Sequence, residues 1–188
     1  MDLKIFPLTP ERWADLETLF GKHGAYGNCW CMFFRLSNKE WGAQGGDQRK
    51  RGLHDLVDGG TPPGLLAYDG EKPVGWISLG PRPDFKQLEK SRVAKPVDDQ
   101  PVWSAVCFFV AKDYRRKGLT VALLKAGIDF ARQHGAAIME GYPVDAEGEK
   151  PDPYVYTGLL DAFKEAGFKE AARRLEHRPI MRYTMEPK

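Results

Sequence analysis

Hydrophobic and polar positions repeat along this chain with two periods, which predicts strands alternating with helices. Residues 3–8 favour an edge strand that Pro7 interrupts. Thr9 and Pro10 are typical of a helix cap and a first helical residue, and apolar residues follow them at helical spacing. The same patterns predict further strands over residues 64–69, 73–79, 102–110, 136–142, 168–175 and 180–185, and further helices over residues 119–134 and 157–166. They also predict a helical region over residues 38–59, with Asn38 as its cap and an interruption near Gly45-Gly46.

Residues 102–110 are the most apolar of these segments. Their run, VWSAVCFFV, does not alternate, which is typical of a central strand buried on both faces. In the helix that follows, apolar residues recur at i, i+4, i+7 and i+11 from Leu119, so we expect it to be well buried. Residues 80–100 are polar and rich in proline, which favours an irregular insert. The pattern as a whole predicts an α/β protein.

Composition and charge exclude several functional classes. A chain of 188 residues is expected to form a single domain, residues 1–188. Its 28 basic and 26 acidic residues leave a net charge of +2, which argues against a polybasic partner for nucleic acid or a membrane surface. The start, Met1-Asp2-Leu3-Lys4, lacks the apolar core of a signal peptide, so we expect a cytoplasmic protein.

The segment between the central strand and the next helix carries the most informative chemistry. It reads V-A-K-D-Y-R-R-K-G-L-T over residues 110–120. The first N–H groups of a helix have no partners within the helix, and the helix dipole adds positive charge there. Arg115, Arg116 and Lys117 add charge, and Gly118 lets an anion approach the backbone. An ordinary strand–helix connection with solvated basic residues is the alternative.

This segment resembles the acyl-CoA signature of the GCN5-related N-acetyltransferase (GNAT) superfamily. Val110 ends a strand, and Arg115 and Gly118 stand at the spacing of the family's Arg/Gln-x-x-Gly-x-Gly/Ala motif. The downstream order of strand, helix and Gly167-Phe168 is similar as well. Two positions depart from the family pattern: Thr120 replaces Gly or Ala, and Phe163 replaces a tyrosine that resembles a general acid.

The resemblance implies a mixed, mostly antiparallel sheet flanked by helices, with a V-shaped splay between its two central strands. Residues 82–100 and 143–156 would then be loop embellishments of one acyltransferase domain. Acetyl-CoA would lie in the splay as co-substrate, and a homodimer is a further expectation. The implied cofactor-binding residues are Phe108, Phe109 and Val110 on the strand and Arg115, Arg116, Lys117, Gly118, Leu119 and Thr120 on the turn.

The resemblance also implies that an amine attacks the thioester directly, which requires a base and an acid. Glu140 is the predicted base, because alternation places it at the carboxyl end of its strand, where clefts open. A solvated or arginine-paired carboxylate is the alternative. Tyr142, Tyr154 and Tyr156 are the candidates for the acid that Phe163 does not supply.

The apolar stretch after the first helix is the candidate acceptor site. Trp30, Met32, Phe33 and Phe34 would form an aromatic wall suited to an acceptor of apolar or ring character, unless they only complete the core. Cys29-x-Cys31 is a weak ligand set without a second pair, so no metal is predicted.

We therefore expect an acetyl-CoA-dependent N-acetyltransferase that acts on the primary amine of a small molecule. The alternatives are a protein or peptide N-acetyltransferase, and a non-catalytic acyl-CoA-binding module. A nucleotide-binding protein is disfavoured, because the sequence has neither a Walker lysine pattern nor a dinucleotide glycine fingerprint.

Overall fold

The computed structural model describes residues 2–146 and 155–186. Within these residues, seven strands form one sheet in the order β1-β2-β3-β4-β5-β7-β6. They are β1 (Leu3–Pro7), β2 (Gly64–Asp69), β3 (Lys72–Pro81), β4 (Trp103–Val110), β5 (Ile138–Gly141), β6 (Lys169–Arg173) and β7 (Pro179–Thr184). Neighbouring strands are antiparallel except for β4 and β5, which are parallel. The mixed, mostly antiparallel sheet predicted above is confirmed.

Helices cover both faces of the sheet. They are α1 (Trp13–Phe20), α2 (Asn38–Ala43), α3 (Gly46–Asp58), α4 (Lys86–Lys90), α5 (Leu119–Gln133) and α6 (Leu160–Glu165). On one face, α5 and α6 bury Leu123 and Phe163 against the central strands. On the other face, α1 and α3 bury Leu16 and Leu53 against Trp76 of β3. Two apolar cores therefore enclose the sheet, which explains the unbroken apolar run of β4.

The two central strands separate after a short paired stretch. β4 and β5 pair at three positions, the last being Ala105 with Gly141, and β4 then continues alone to Val110. On its other side β4 stays paired with β3, and the register shifts where Ser78 faces Cys107 and Leu79 faces Ala105. This shift marks a bulge at Val106, and bulges bend a strand locally. The bulge and the short pairing together produce the predicted splay, which we call the fork.

Alternation along β4 sends successive side chains to opposite faces. Phe108 packs into the core on the α5 face, whereas Cys107 and Phe109 pack against the core of α1 and α3. The N–H of Ala111 donates to Val74 of β3. The backbone groups of Phe108, an odd number of residues before Ala111, therefore face the fork.

The structure corrects several predicted boundaries. Ser37, and not Asn38, caps α2: its hydroxyl accepts the N–H of Glu40, whose carboxylate accepts the N–H of Ser37. Thr9 makes no side-chain cap. The predicted irregular insert contains α4, and Phe85 and Leu88 within it are fully buried.

No helix within residues 2–146 and 155–186 combines the length and the apolar character needed to cross a membrane.

Candidate active site

A cleft of about 1280 Å³ opens along the unpaired half of β4 and reaches both faces of the sheet. Two groups of residues line it, and we name them the basic wing and the aromatic wing. The basic wing comprises Val110, Lys112, Arg115, Arg116, Gly118 and Thr120. The aromatic wing comprises Tyr26, Cys29, Cys31, Phe33, Phe34, Trp41 and Cys107. Phe108, Phe109 and Tyr156 line the cleft between the wings.

The basic wing is a turn that presents the N-terminus of α5. Gly118 caps this helix with φ +76°, and it has no side chain to satisfy the first N–H groups of the helix. A Cβ at Gly118 would meet no atom within 4 Å. The left-handed backbone, and not crowding, therefore requires glycine here. Arg116 is also left-handed, with φ +59°, so the turn is tightly wound. The exposed N–H groups and the dipole of α5 favour an anion at this position.

The edge of β4 that faces the fork already has two partners. The N–H of Phe108 donates to the carbonyl of Tyr156 over 2.7 Å. The carbonyl of Val110 accepts the Nε–H of Arg115 over 3.1 Å. Arg115 thus ties the basic turn to the strand that precedes it. The segment around Tyr156 lies across the open end of the fork.

The aromatic wing is a set of rings in edge-to-face contact. The ring of Phe33 lies 5.3 Å from the rings of both Phe34 and Trp41, measured between centroids. Arg49 stacks on Trp41 at 3.4 Å and donates to its carbonyl over 2.9 Å. These two contacts with Arg49 fix the orientation of the Trp41 ring. The described acidic residues that line the cleft, Asp161 and Glu165, belong to α6 and not to the aromatic wing.

Tyr156 is the candidate acid that the structure brings to the cleft. Its side chain is 37% exposed, and its ring lies 6.1 Å from that of Phe34. Burial, followed by the nearby Cys107, raises the pKa of Tyr156 above its usual value. The phenol therefore stays protonated at neutral pH, which is the state that a general acid needs. Tyr154, the other candidate nearby in sequence, lies outside the described residues.

Glu140 and Tyr142 are not among the residues that line the cleft. Glu140 is 1% exposed and accepts hydrogen bonds from Arg182 and from Tyr142. Arg82 lies 3.5 Å from the second oxygen of Glu140 and donates to Tyr142 over 2.8 Å. Both carboxylate oxygens are therefore occupied inside the base of the fork. Burial and the charge of Glu140 raise the pKa of Tyr142 far above its usual value.

The polar network around Glu140 connects the insert to the fork. Arg182 also pairs with Asp98, and Arg82 donates to the carbonyls of Leu88 and Ala94. Glu140 is thus a carboxylate paired with arginine, which is the alternative to the role of a base. Its predicted role as the base remains a prediction.

Phe163 explains the departure from the family's tyrosine. It is fully buried, and its ring contacts the positions of Gly141 and Gly158 so closely that a Cβ at either would clash. Its ring centroid lies 6.0 Å from that of Phe108. A phenol hydroxyl at this position would lie in an apolar core, so the acid is expected elsewhere in the cleft.

The structure places part of the predicted acceptor wall at the cleft. Phe33 and Phe34 line the cleft, whereas Trp30 and Met32 are buried in the core beneath it. Lys117 is not a lining residue either, and its ammonium lies 5.6 Å from the ring of Tyr114. The other predicted residues of the turn and of β4 do line the cleft.

No sequence pattern indicated that Tyr26 and Trp41 line the cleft, and Cys29 and Cys31 stood out only as a weak metal-ligand pair. Trp41 gave no signal, because it lies on a separate short helix. Cys107 lies within the apolar run of β4, where the sequence favours a small buried residue over a reactive one. Within the part of the chain that the structure describes, His, Cys, Asp and Glu side chains form no group that could hold a metal ion.

Comparison with known proteins agrees with this geometry. The sequence model of the acetyltransferase (GNAT) family matches residues 30–144. No curated protein matches the sequence significantly. Arylalkylamine N-acetyltransferase 2 from Aedes aegypti is similar in structure, with a TM-score of 0.61 at 12% identity, covering 99% of this chain and 100% of that one. The PaiA N-acetyltransferase from Thermoplasma acidophilum, solved with coenzyme A, has a TM-score of 0.56 at 13% identity, covering 98% and 100%. These similarities show a shared fold.

Proposed function

Because the chain belongs to the GNAT family of acetyltransferases, we propose that it transfers an acetyl group from acetyl-CoA to the primary amine of a small molecule that carries an apolar ring. One observation carries this proposal. A single cleft joins a basic turn, where helix N–H groups are available, to an uncharged aromatic surface. The edge of β4 that faces the fork runs between the two.

The basic wing would bind the pyrophosphate of acetyl-CoA. The N–H groups at the start of α5 and the guanidinium of Arg116 supply hydrogen bonds and positive charge to the phosphate oxygens. The pantetheine arm would pair with the carbonyl of Phe108 and the N–H of Val110, as a further strand does, because the N–H of Phe108 and the carbonyl of Val110 already bond Tyr156 and Arg115. The PaiA structure with coenzyme A supports this placement through its shared fold.

The aromatic wing would bind the acceptor. Phe33, Phe34 and Trp41 offer ring faces and edges, which favour an aromatic ring on the ligand. An alkyl ammonium, with a pKa of about 10.4, must lose its proton before it attacks the thioester. A low-polarity wing favours the neutral amine by disfavouring its charged form. Two structural neighbours, the Aedes aegypti enzyme and a mosquito protein named arylalkylamine N-acetyltransferase like 5b, support an acceptor of this class.

The transfer would proceed by direct attack in a ternary complex. The amine attacks the thioester carbonyl, and a backbone N–H of β4 stabilises the oxyanion that develops. As the carbon–sulfur bond breaks, Tyr156 protonates the departing thiolate, and the attacking nitrogen loses its extra proton to water to give the amide. The N–H of Phe108 serves as the oxyanion donor only after the carbonyl of Tyr156 moves away from it.

The experiment is amine-dependent release of CoA from acetyl-CoA, followed by mass spectrometry of the acetylated product. The panel contains 2-phenylethylamine, spermidine, an aminoglycoside and a peptide with a free N-terminus. We expect release with the aryl amine and little with the polycations. Release only with the peptide would replace the small-molecule acceptor by a protein. Binding of CoA without release for any acceptor would favour the non-catalytic module.

A further inference from the structure

All three cysteines of the chain meet in the aromatic wing. Cys29 and Cys31 come from the loop after α1, and Cys107 comes from β4. The sulfur atoms of Cys31 and Cys107, 76 positions apart in sequence, lie 3.5 Å from each other. Cys29 lies nearby, where its thiol contacts the carbonyl of Gly24 at 3.7 Å. All three residues line the cleft, where Cys29 and Cys107 are partly exposed and Cys31 is buried.

The backbone holds Cys31 in place at a cost. Cys31 and Trp30 are both left-handed, with φ of +48° and +45°, a backbone conformation that is unfavourable for a residue other than glycine. The surrounding fold must therefore enforce it. The indole N–H of Trp76 donates to the Cys31 sulfur over 3.1 Å, which fixes the direction of that side chain toward Cys107.

We propose that Cys31 and Cys107 are an oxidation site that a hydroperoxide converts to an intramolecular disulfide, and that this disulfide closes the aromatic wing. The two sulfurs need to approach by roughly 1.5 Å to reach bonding distance. Neither residue lies within a helix or needs to cross another element to do so. The linkage would join the loop that carries the wall to the strand at its base.

The two thiols would have different roles. Cys107 is partly exposed in the cleft, whereas Cys31 is 4% exposed. The contact with Cys107, together with burial, raises the pKa of the Cys31 thiol well above its usual value. Thiolates, and not thiols, attack peroxides. Cys107 is therefore the residue that is oxidised first, and Cys31 is the one that resolves the product.

The chemistry balances as a two-electron oxidation. The Cys107 thiolate attacks one peroxide oxygen, so that a sulfur–oxygen bond forms, the oxygen–oxygen bond breaks, and water or an alcohol leaves with the thiol proton. The Cys31 sulfur then attacks the sulfenic acid of Cys107. A sulfur–sulfur bond forms, the sulfur–oxygen bond breaks, and a second water leaves with the proton of Cys31.

The formation of the disulfide does not depend on the proposed function. Its expected effect on acetyl transfer does rest on the proposed function. The linked chain would hold the loop of Phe33 and Phe34 against β4, where an acceptor ring is proposed to bind. We therefore expect oxidation to abolish amine-dependent CoA release and a dithiol reductant to restore it. Binding of CoA, which uses the basic wing, should change less than twofold.

The test treats the full chain with hydrogen peroxide, alkylates the remaining thiols and measures intact and peptide masses. Trypsin leaves Cys29 and Cys31 on one peptide between Lys22 and Arg35, so variants must identify the partner. We expect a link to the Cys107 peptide in wild type and in Cys29→Ser, and none in Cys31→Ser or Cys107→Ser. Serine retains an acceptor for the Trp76 N–H, so the variant wall keeps its hydrogen bond.

Three results would overturn the proposal. A link that persists in Cys31→Ser would make Cys29 the partner. Oxidation of Cys107 to a sulfinic acid without any link would show that the thiols do not meet. A disulfide that forms but leaves acetyl transfer unchanged would contradict the claim that it closes the aromatic wing. Because the link is measured by mass, its failure is separate from a failure to find any acetyl acceptor.

Discussion

The basic wing and the aromatic wing of the cleft are built in different ways. The basic wing is one contiguous segment, a strand end, a turn and a helix start within residues 110–120. The aromatic wing is assembled from the loop after α1, from Trp41 on α2, and from Cys107 on β4. The first depends on local backbone conformation and the second on tertiary packing. Substitutions in the two wings should therefore affect binding of acetyl-CoA and choice of acceptor separately.

Replacing Glu140 should test whether the polar network supports both wings or takes part in the reaction. In Glu140→Gln, Arg182 loses its ion pair at 2.7 Å, and the buried Arg82 loses one of its two carboxylate neighbours and keeps Glu89 at 3.4 Å, so we expect the free energy of unfolding to fall by about 3 kcal/mol. The position of Glu140 favours an unchanged pH–rate profile for the folded fraction. Denaturant unfolding and pH–rate measurements check these points. Loss of turnover at neutral pH with recovery at higher pH would instead identify Glu140 as the base.

Tyr156→Phe should lower kcat by roughly 100-fold, because it removes the phenol that would protonate the thiolate. The acid must be protonated to act, so its activity is lost only as pH rises through its raised pKa. Binding of CoA should change little. Tyr142→Phe is the matched control at the base of the fork, where we expect lower stability and little change in kcat. An unchanged kcat in Tyr156→Phe would exclude this residue as the acid.

Gly118→Val should weaken binding of CoA at least tenfold, or by about 1.4 kcal/mol. A β-branched residue is strained at φ +76°, so the turn must change and the first N–H groups of α5 must turn away. Gly135→Val, at the other end of α5, is the matched control, with φ +82° and open space around it. Calorimetric titration with CoA compares the two. Equal affinities would contradict the placement of the pyrophosphate.

Phe34→Ala should raise the KM for an aryl amine severalfold, up to about tenfold, because one stacking partner of the acceptor is lost. The Kd for CoA should not change. Phe6→Ala, an exposed ring on β1 outside the cleft, is the control. A larger effect on CoA than on the amine would reverse the assignment of the wings.

Glu40→Gln should have the smallest effect, a small loss of stability. Glu40 pairs with Lys86 and accepts the N–H of Ser37, and we call these two contacts the brace of α2, the helix that carries Trp41. The ammonium of Lys86, 2.7 Å away, followed by the N–H of Ser37, lowers the pKa of Glu40 to about 2. Its folded-state pKa lies below the unfolded value near 4.5, so its contribution to stability is full above pH 4.5 and is lost toward pH 2.

Melting temperatures of wild type and Glu40→Gln should therefore differ at neutral pH and converge as pH falls from 5 to about 2. The same substitution at Glu71, in the turn between β2 and β3, is the control. A difference that persists unchanged at low pH would show that the brace does not depend on the charge of Glu40.

The sequence predicted the local features of this molecule well and the assembled ones poorly. The apolar run of β4, the apolar stripe of α5 and the glycine that begins this helix each depend on residues that are close together in the sequence. The central strand, the helix and the turn between them were therefore predictable. The sequence placed Glu140 on the correct strand and near the carboxyl end of that strand. Its partner Arg82, however, is 58 positions away in sequence. Pattern alone does not reveal such a contact.

The acceptor wall shows the same limit. The apolar stretch after α1 was recognised, but a run of apolar residues in a loop does not show which of them face a cleft and which face the core. The backbone there turns Cys31 and Phe33 toward the cleft and Trp30 and Met32 into the core. The position of α2, which brings Trp41 to the same wall, depends on how the preceding loop packs.

The most direct test of the two-wing account varies acetyl-CoA and 2-phenylethylamine together and measures initial rates of CoA release. Direct transfer across one cleft requires both ligands to be bound at once, so we predict intersecting double-reciprocal lines. The Gly118→Val variant should change the kinetic constants for acetyl-CoA, and Phe34→Ala those for the amine. Parallel lines, which indicate a covalent acetyl-enzyme, or competition between CoA and the amine for one wing, would contradict the account.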